Sequence, residues 1–171
     1  HVPCIRIMRP FDKRVQWLMT ELDTDDRELA ENEIRRSDRA NATRMNLPVH
    51  VVHGVEKGPV LFLSGVVHGD EIQGLEIIRR VLAHTALKNL KGTLLAVPIV
   101  NAFGFLNHSR YMPDRRDLNR SFPGSDHGSL AGLLADLFFR EVVKRAQFGI
   151  DFHTAALHRT NFPQVRISPG D

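Results

Sequence analysis

Apolar residues change their spacing along the chain near residue 47. Beyond that point, short runs rich in Val, Ile, Leu and Phe alternate with segments in which apolar residues recur every three or four positions. Such alternation is typical of an α/β domain whose mostly parallel or mixed sheet is flanked by helices. We therefore predict two parts, an N-terminal extension over residues 1–46 and an α/β domain over residues 47–171.

The individual elements follow from the same pattern. Residues 72–84 place Ile72, Leu75, Ile78 and Val81 at helical spacing, and a second amphipathic helix is predicted over 130–142. The predicted strands are residues 47–53, 60–64, 93–100 and 148–152, with a turn over 54–59. We expect the strand over 148–152 to be buried. In the extension, the many Asp, Glu and Arg residues favour an exposed helix over about 25–39 with no chemistry of its own.

Composition narrows the function classes. The chain has 171 residues, 42% hydrophobic and 25% charged, as in ordinary soluble domains. Charged residues interrupt every apolar run before the roughly 20 residues that a membrane span needs, so no membrane partner is expected. The net charge of +3, with arginines spread over several segments, argues against a nucleic-acid partner. The single cysteine, Cys4, excludes an internal disulfide, and a cytoplasmic location is the default expectation.

His68-Gly69-Asp70-Glu71 carries the clearest chemistry, because it lies between the predicted strand 60–64 and the helix 72–84. A histidine and a carboxylate three residues apart at such a junction can point at one metal ion, and catalytic zinc usually has three protein ligands and a water. Ligands of open α/β sheets bind beyond the carboxyl ends of strands. His153 follows the strand 148–152, so we predict a Zn²⁺ site formed by His68, Glu71 and His153.

Each of these three residues also has an ordinary interpretation. Glu71 fits an acid in the first turn of a helix, where the helix dipole favours it. His68 fits a loop histidine bonded to backbone groups, and His153 fits a histidine at a strand end. Their combination favours the metal site. His50 and His53 lie three apart in a strand and are therefore predicted to be structural.

The polar loop over residues 110–124 is a candidate substrate clamp. Arginine offers a planar fork of donors that matches a carboxylate, and asparagine adds a further polar group beside it. Asn119 and Arg120 are therefore expected to hold an anionic substrate. The alternative is an ordinary surface loop with salt bridges. Asp151, two residues before His153 on the same strand face, is a candidate for orienting that histidine, and Asp70 is a second candidate of this kind.

Three segments in this order are HGDE at 68–71, DLNRSFPG at 117–124 and IDFHT at 150–154. Together they resemble the succinylglutamate desuccinylase/aspartoacylase family, distant relatives of zinc carboxypeptidases, over residues 47–166. The resemblance implies a carboxypeptidase-like three-layer α/β/α fold. It also implies that His68, Glu71 and His153 bind one zinc ion and that Asn119 and Arg120 bind a carboxylate. The family's further arginine matches Arg110 best, although its spacing to Asn119 is longer here.

The same resemblance implies a function, zinc-dependent hydrolysis of the amide bond of a small anionic N-acyl amino acid by activated water. Two alternatives stay open: a zinc carboxypeptidase acting on peptides, and a non-catalytic metal- or ligand-binding relative. A homo-oligomer is also left open. The family's general base is a glutamate well downstream of the last zinc ligand, and no glutamate follows His153. We therefore expect that base beyond Asp171, and interpret 47–171 as the N-terminal part of a catalytic domain, incomplete at its C-terminus.

Overall fold

The computed structural model of the chain describes residues 5–6 and 46–167. The charged helix predicted over 25–39 lies outside these residues, so it stays a prediction, as does the division into an extension and a domain. No helix within the described part of the chain combines the length and apolar character needed to cross a membrane.

The described residues form a mixed sheet of five strands. Its strands, in chain order, are β1 (Ile5–Arg6), β2 (His50–His53), β3 (Glu56–Gly65), β4 (Lys91–Val97) and β5 (Phe148–Phe152). The spatial order is β1-β2-β4-β3-β5, in which β4, β3 and β5 are parallel while β2 runs antiparallel to both β1 and β4. The mixed sheet predicted from the hydrophobic pattern is confirmed.

Helices connect the parallel strands. Helix α1 (Gln73–Ala83) crosses from β3 to β4, while α2 (Ala102–Leu106) and α3 (Leu130–Glu141) lie between β4 and β5. Parallel neighbours require such long crossovers, because a tight turn joins only antiparallel strands. Three short 3₁₀ turns complete the described part, at Thr85–Asn89, Leu118–Arg120 and Val143–Arg145.

Both faces of the sheet are covered by helices. On β4, Leu94 and Ala96 pack on the face covered by α1, and Leu95 and Val97 pack on the opposite face against α3. Successive strand residues point to opposite faces, so a strand buried on both sides is apolar throughout. Two apolar cores result, one on each side, and the predicted three-layer α/β/α arrangement is confirmed.

The strand boundaries differ from the prediction at several ends: β2 begins at His50 rather than at residue 47, and β4 begins at Lys91 rather than at residue 93. Strand β3 begins at Glu56 rather than at residue 60, because Glu56 pairs with Lys91 of β4, which shortens the predicted turn. Strand β4 ends at Val97 rather than at residue 100, and Pro98 follows it. Proline has no N–H to donate to a neighbouring strand, which explains the early end.

Strand β5 is exposed, and the expectation of a buried strand is wrong. Phe148 and Ile150 are 62% and 47% exposed. The reason is position: β5 lies at the margin of the sheet, where β3 is its strand partner within residues 5–6 and 46–167. Apolar content alone does not show whether a strand is central or marginal.

Candidate metal centre

A sharp turn after β3 positions the first two candidate ligands. Val66 has a φ of 54°, in the left-handed region that β-branched residues rarely adopt. Gly69 then passes so close to the backbone of Gly104 that no side chain would fit between them. The turn is held because Asn101 donates its backbone N–H to the Val66 carbonyl at 2.9 Å. Strain of this kind persists only where surrounding structure enforces it, as here just before His68.

The Glu71 carboxylate is the centre of the cluster. His68 and Glu71 are each only 3% exposed, and the distance from His68 Nδ1 to Glu71 Oε1 is 2.7 Å. The other oxygen, Oε2, lies 2.9 Å from His153 Nδ1 and accepts the backbone N–H of Thr154, also at 2.9 Å. His153 is 32% exposed. The structure thus brings together three residues from two strand ends, with one candidate ligand atom of each within 4.8 Å of the others.

The far nitrogens of both imidazoles face carboxylates. His68 Nε2 lies 3.1 Å from Asp117 Oδ1, and His153 Nε2 lies 2.6 Å from Asp151 Oδ2. Histidines that bind metals in proteins almost always donate their second N–H to such a partner, which fixes the tautomer and the orientation of the ring. In both rings Nδ1 is therefore the nitrogen that faces the centre of the cluster.

Arg110 also reaches the cluster. Its guanidinium donates from Nη1 to Glu71 Oε1 and from Nη2 to Asp117 Oδ2, both at 3.1 Å. One side chain thereby bridges the Glu71 carboxylate and the carboxylate that holds His68. The loop carrying Arg110 is attached to the rest of the domain through Asp114, which accepts the N–H of Ala131 at the start of α3.

These contacts set the charges of the site. Burial alone would raise the pKa of Glu71, but hydrogen bonds from His153, His68 and the Thr154 N–H outweigh it and hold that pKa far below its usual value. Burial likewise opposes ionisation of Asp117, yet His68 and Arg110 lower its pKa. The hydrogen bonds to Asp151 and Glu71 raise the pKa of His153 to about 9. Both Glu71 and Asp117 are therefore ionised at neutral pH, whereas His153 is protonated and would have to release its Nδ1 proton to bind a cation.

Asn119 and Arg120 lie on the 3₁₀ turn Leu118–Arg120, directly after Asp117. Asp117 caps this turn by accepting the Asn119 N–H at 2.9 Å, so the turn stands beside the cluster. Neither side chain forms a hydrogen bond to His68, Glu71 or His153 in the described structure, and Arg120 is exposed to solvent. Their position leaves them available to a ligand entering from solvent.

Asp70 does not face the histidines. Its Oδ2 accepts the Leu157 N–H at 3.3 Å, and its Oδ1 is buried without a hydrogen-bond partner within residues 5–6 and 46–167. It connects the loop after β3 to the loop after β5 and forms no hydrogen bond to either imidazole within the described residues. Asp151, the other candidate for orienting a ligand, is in direct contact with His153.

Three residues of the site were not found from the sequence: Ser64, Asp117 and Thr154. Asp117 could have been predicted, because it is the first residue of the DLNRSFPG segment and lies two residues before Asn119. Thr154 contributes a backbone N–H, which any residue there would provide. Ser64 is a polar residue in the buried, otherwise apolar end of β3, and its role becomes visible only once its neighbour on β5 is known.

The donor set fits zinc. Two imidazole nitrogens and one carboxylate suit Zn²⁺, which binds three protein ligands in catalytic sites, whereas Ca²⁺ and Mg²⁺ prefer all-oxygen sets. In the structure the Glu71 carboxylate accepts hydrogen bonds from both rings, and a bound cation would replace those protons. The carboxylates that accept the outer N–H groups of the two rings would favour the exchange.

Fold and cluster together define an α/β domain with a candidate metal centre at the carboxyl ends of two parallel strands. The catalytic-domain profile of the succinylglutamate desuccinylase/aspartoacylase family matches residues 57–171. The chain belongs to this family, as its three motifs predict.

The similar proteins include deacylases. N-alpha-acetyl-L-2,4-diaminobutyric acid deacetylase from Halomonas elongata is 34% identical over 109 residues, covering 63% of this chain and 32% of that protein. The structure of succinylglutamatedesuccinylase/aspartoacylase from Rhodobacter sphaeroides has a TM-score of 0.63 at 31% identity, covering 70% and 37%.

A third relative is the product-bound Ectoine utilization protein EutE (DoeB) from Ruegeria pomeroyi, with a TM-score of 0.58 at 37% identity, covering 63% and 33%. The chain thus spans about a third of the length of these relatives.

Proposed function

We propose that the protein is a zinc-dependent deacylase that hydrolyses the amide bond of a small N-acyl amino acid. The observation that carries the proposal is the convergence of His68 Nδ1 and His153 Nδ1 on the two oxygens of Glu71. The relatives support the reaction class, since one of them is named as a deacetylase of an N-acetylated amino acid.

His68, Glu71 and His153 are the residues that would hold the metal. A zinc ion bound there would act as a Lewis acid and would lower the pKa of a bound water from about 15.7 towards 7. The protein's own contribution is orientation. Asp117 and Asp151 accept the outer N–H groups of the two rings and keep Nδ1 of each ring directed inward.

Arg110, Asn119 and Arg120 are the proposed substrate residues. Arg110 stands 3.1 Å from Glu71, so its guanidinium borders the centre where the scissile amide must lie. Asn119 and Arg120 follow Asp117 on the adjacent 3₁₀ turn, where Asn119 is half-buried and Arg120 is exposed to the solvent from which a small acid arrives. A guanidinium and an amide together match one carboxylate. This arrangement supports recognition of an anionic N-acyl amino acid.

The experiment combines metal analysis with substrate selection on the complete protein. We expect one zinc per chain, hydrolysis of N-acyl amino acids, and loss of activity on chelation that zinc restores. Glu71→Gln should abolish both zinc and activity, whereas Glu76→Gln, which removes an exposed acid of α1, should change neither. Faster cleavage of peptides with free C-termini would favour a carboxypeptidase. Stoichiometric zinc without any turnover would favour a binding relative, and a folded protein without metal would overturn the proposal.

A further inference from the structure

Ser64 is a buried polar residue beside the site, outside the residues proposed to hold the metal or the substrate. It lies on β3, is 1% exposed, and occupies the face of the sheet that Phe62 fills with apolar packing two residues earlier. A hydroxyl buried without a partner destabilises the fold, so alanine would serve packing better at such a position. The partner of Ser64 is the Asp151 carboxylate, since Ser64 Oγ donates to Asp151 Oδ1 at 2.8 Å.

The register of the sheet creates this contact. Ser64 and Asp151 are direct neighbours in the parallel pairing of β3 with β5. The two oxygens of Asp151 are divided between two partners: Oδ1 accepts from Ser64, and Oδ2 lies 2.6 Å from His153 Nε2. Ser64, Asp151 and His153 therefore form a continuous hydrogen-bonded series that ends at the Glu71 carboxylate.

Asp151 needs such a support more than a buried carboxylate would. Within residues 5–6 and 46–167, its side chain is 34% exposed, and β5 has a strand partner, β3, on one side. The terminal torsion of an aspartate is broad, and water competes for its oxygens. Ser64, in contrast, belongs to β3, which has strand partners on both sides. A hydroxyl fixed on this inner strand limits the rotation of the carboxylate.

We infer that Ser64 is a positioning residue of the metal centre: it fixes the Asp151 carboxylate, and through Asp151 it keeps His153 Nδ1 directed at the ligand cluster. The inference rests on the proposed metal site. It predicts that the Ser64 hydroxyl contributes to metal affinity and to ligand geometry although it touches neither the metal ligands nor the substrate.

The test measures zinc affinity by chelator competition and the visible absorption of the Co²⁺ form, on the complete protein. Ser64→Ala is expected to weaken zinc binding about 3- to 10-fold, less than the roughly 10- to 100-fold that loss of a direct partner of a metal-binding histidine costs. It should also change the Co²⁺ spectrum. Ser64→Thr, which keeps the hydroxyl, should restore both. Thr93→Val is the matched control, because Thr93 Oγ1 bonds His53 on the same sheet at 2.9 Å, outside the site.

A double-mutant cycle separates positioning from general damage. If Ser64 acts through Asp151, Ser64→Ala should cause no further loss of zinc affinity once Asp151→Asn is present. Thermal melts identify any variant that is not folded. Wild-type affinity and an unchanged Co²⁺ spectrum in Ser64→Ala would overturn the inference, and so would an equal loss with and without the Asp151 carboxylate. A wild-type protein that binds neither Zn²⁺ nor Co²⁺ would instead overturn the proposed metal site.

Discussion

The two halves of the candidate site are fixed by different means. His68 and Glu71 follow the inner strand β3, are almost completely buried, and lie on one short turn of chain. His153 follows the marginal strand β5 and is about a third exposed. The inner half is immobilised by packing on all sides, because a dense interior leaves a side chain little freedom. The outer half lacks that packing.

Hydrogen bonds replace packing in the outer half. His153 is held by Asp151, Asp151 by Ser64, and the next backbone N–H, from Thr154, bonds Glu71. The inner histidine has a carboxylate partner too, Asp117, but at a longer distance. This difference indicates that the carboxylate partner matters more for the orientation of His153 than for that of His68. Substitutions in the two halves test this difference, and the residue that both halves share is Glu71.

Glu71→Gln should have the largest effect. Glu71 accepts from both rings, so its loss removes one proposed ligand and separates the two halves. Zinc affinity should fall by well over about 100-fold, more than for any partner of the ligands. Isothermal titration with zinc measures it. Affinity within tenfold of the wild type would show that Glu71 is not a ligand.

Asp151→Asn and Asp117→Asn compare the halves directly. Loss of a carboxylate partner costs a metal site about 10- to 100-fold in affinity. We expect Asp151→Asn near the upper end, since His153 has a short 2.6 Å bond to Asp151 and little packing. Asp117→Asn should lie near the lower end, because burial continues to hold His68. The same titration ranks them, and the reverse order would contradict the contrast drawn between the halves.

Arg110→Lys tests whether the inner half also faces the substrate. Lysine cannot bridge Glu71 and Asp117 with a planar fork, and one charge-assisted hydrogen bond is worth about 1.5–3 kcal/mol. We expect kcat/KM to fall about 10- to 100-fold while zinc affinity changes far less. Steady-state kinetics on zinc-loaded enzyme measures the first quantity and titration the second. A parallel loss of both would make Arg110 a structural residue of the centre.

Glu76→Gln should have the smallest effect on stability and function, because Glu76 lies on the exposed surface of α1, outside both halves of the site. Hydrogen bonds from Arg79 and Arg80 lower the pKa of Glu76 to about 2 from a usual 4.5. A lowered pKa stabilises the fold above pH 4.5, and the contribution disappears as the pH falls towards 2. The pairs are exposed, so the melting temperature at pH 7 should fall by at most about 2 °C. The melting temperatures of the variant and the wild type should converge as the pH falls towards 2. A difference in melting temperature that grows with falling pH would contradict this.

The sequence was sufficient for most of the helices and strands and for the inner half of the site, but not for the short elements β1 and α2. Helix α1 was predicted to within a residue at each end, since the spacing of Leu75, Ile78 and Val81 directly reflects helical geometry. His68 and Glu71 are local neighbours, so their proximity needs only the turn between β3 and α1. The mixed sheet was likewise visible in the alternation of strands and helices.

Other features depended on pairings between distant segments. The exposure of β5 depends on strand order, which apolar content does not encode. Asp117 reaches His68 across 49 positions, and Ser64 reaches Asp151 across 87. Such contacts exist only once the register of β3 with β5 and the path of the clamp loop are set.

By itself, then, the sequence determined an α/β domain of a deacylase family and the residue types of a candidate metal site, because periodicity and short motifs are local properties of the chain. The tertiary structure decided which carboxylate supports which histidine, and that one half of the site is packed while the other is hydrogen-bonded. The physical reason is that burial and hydrogen-bond partners depend on the strand order of the sheet. That order brings residues that are far apart in the chain to the same end of β3 and β5.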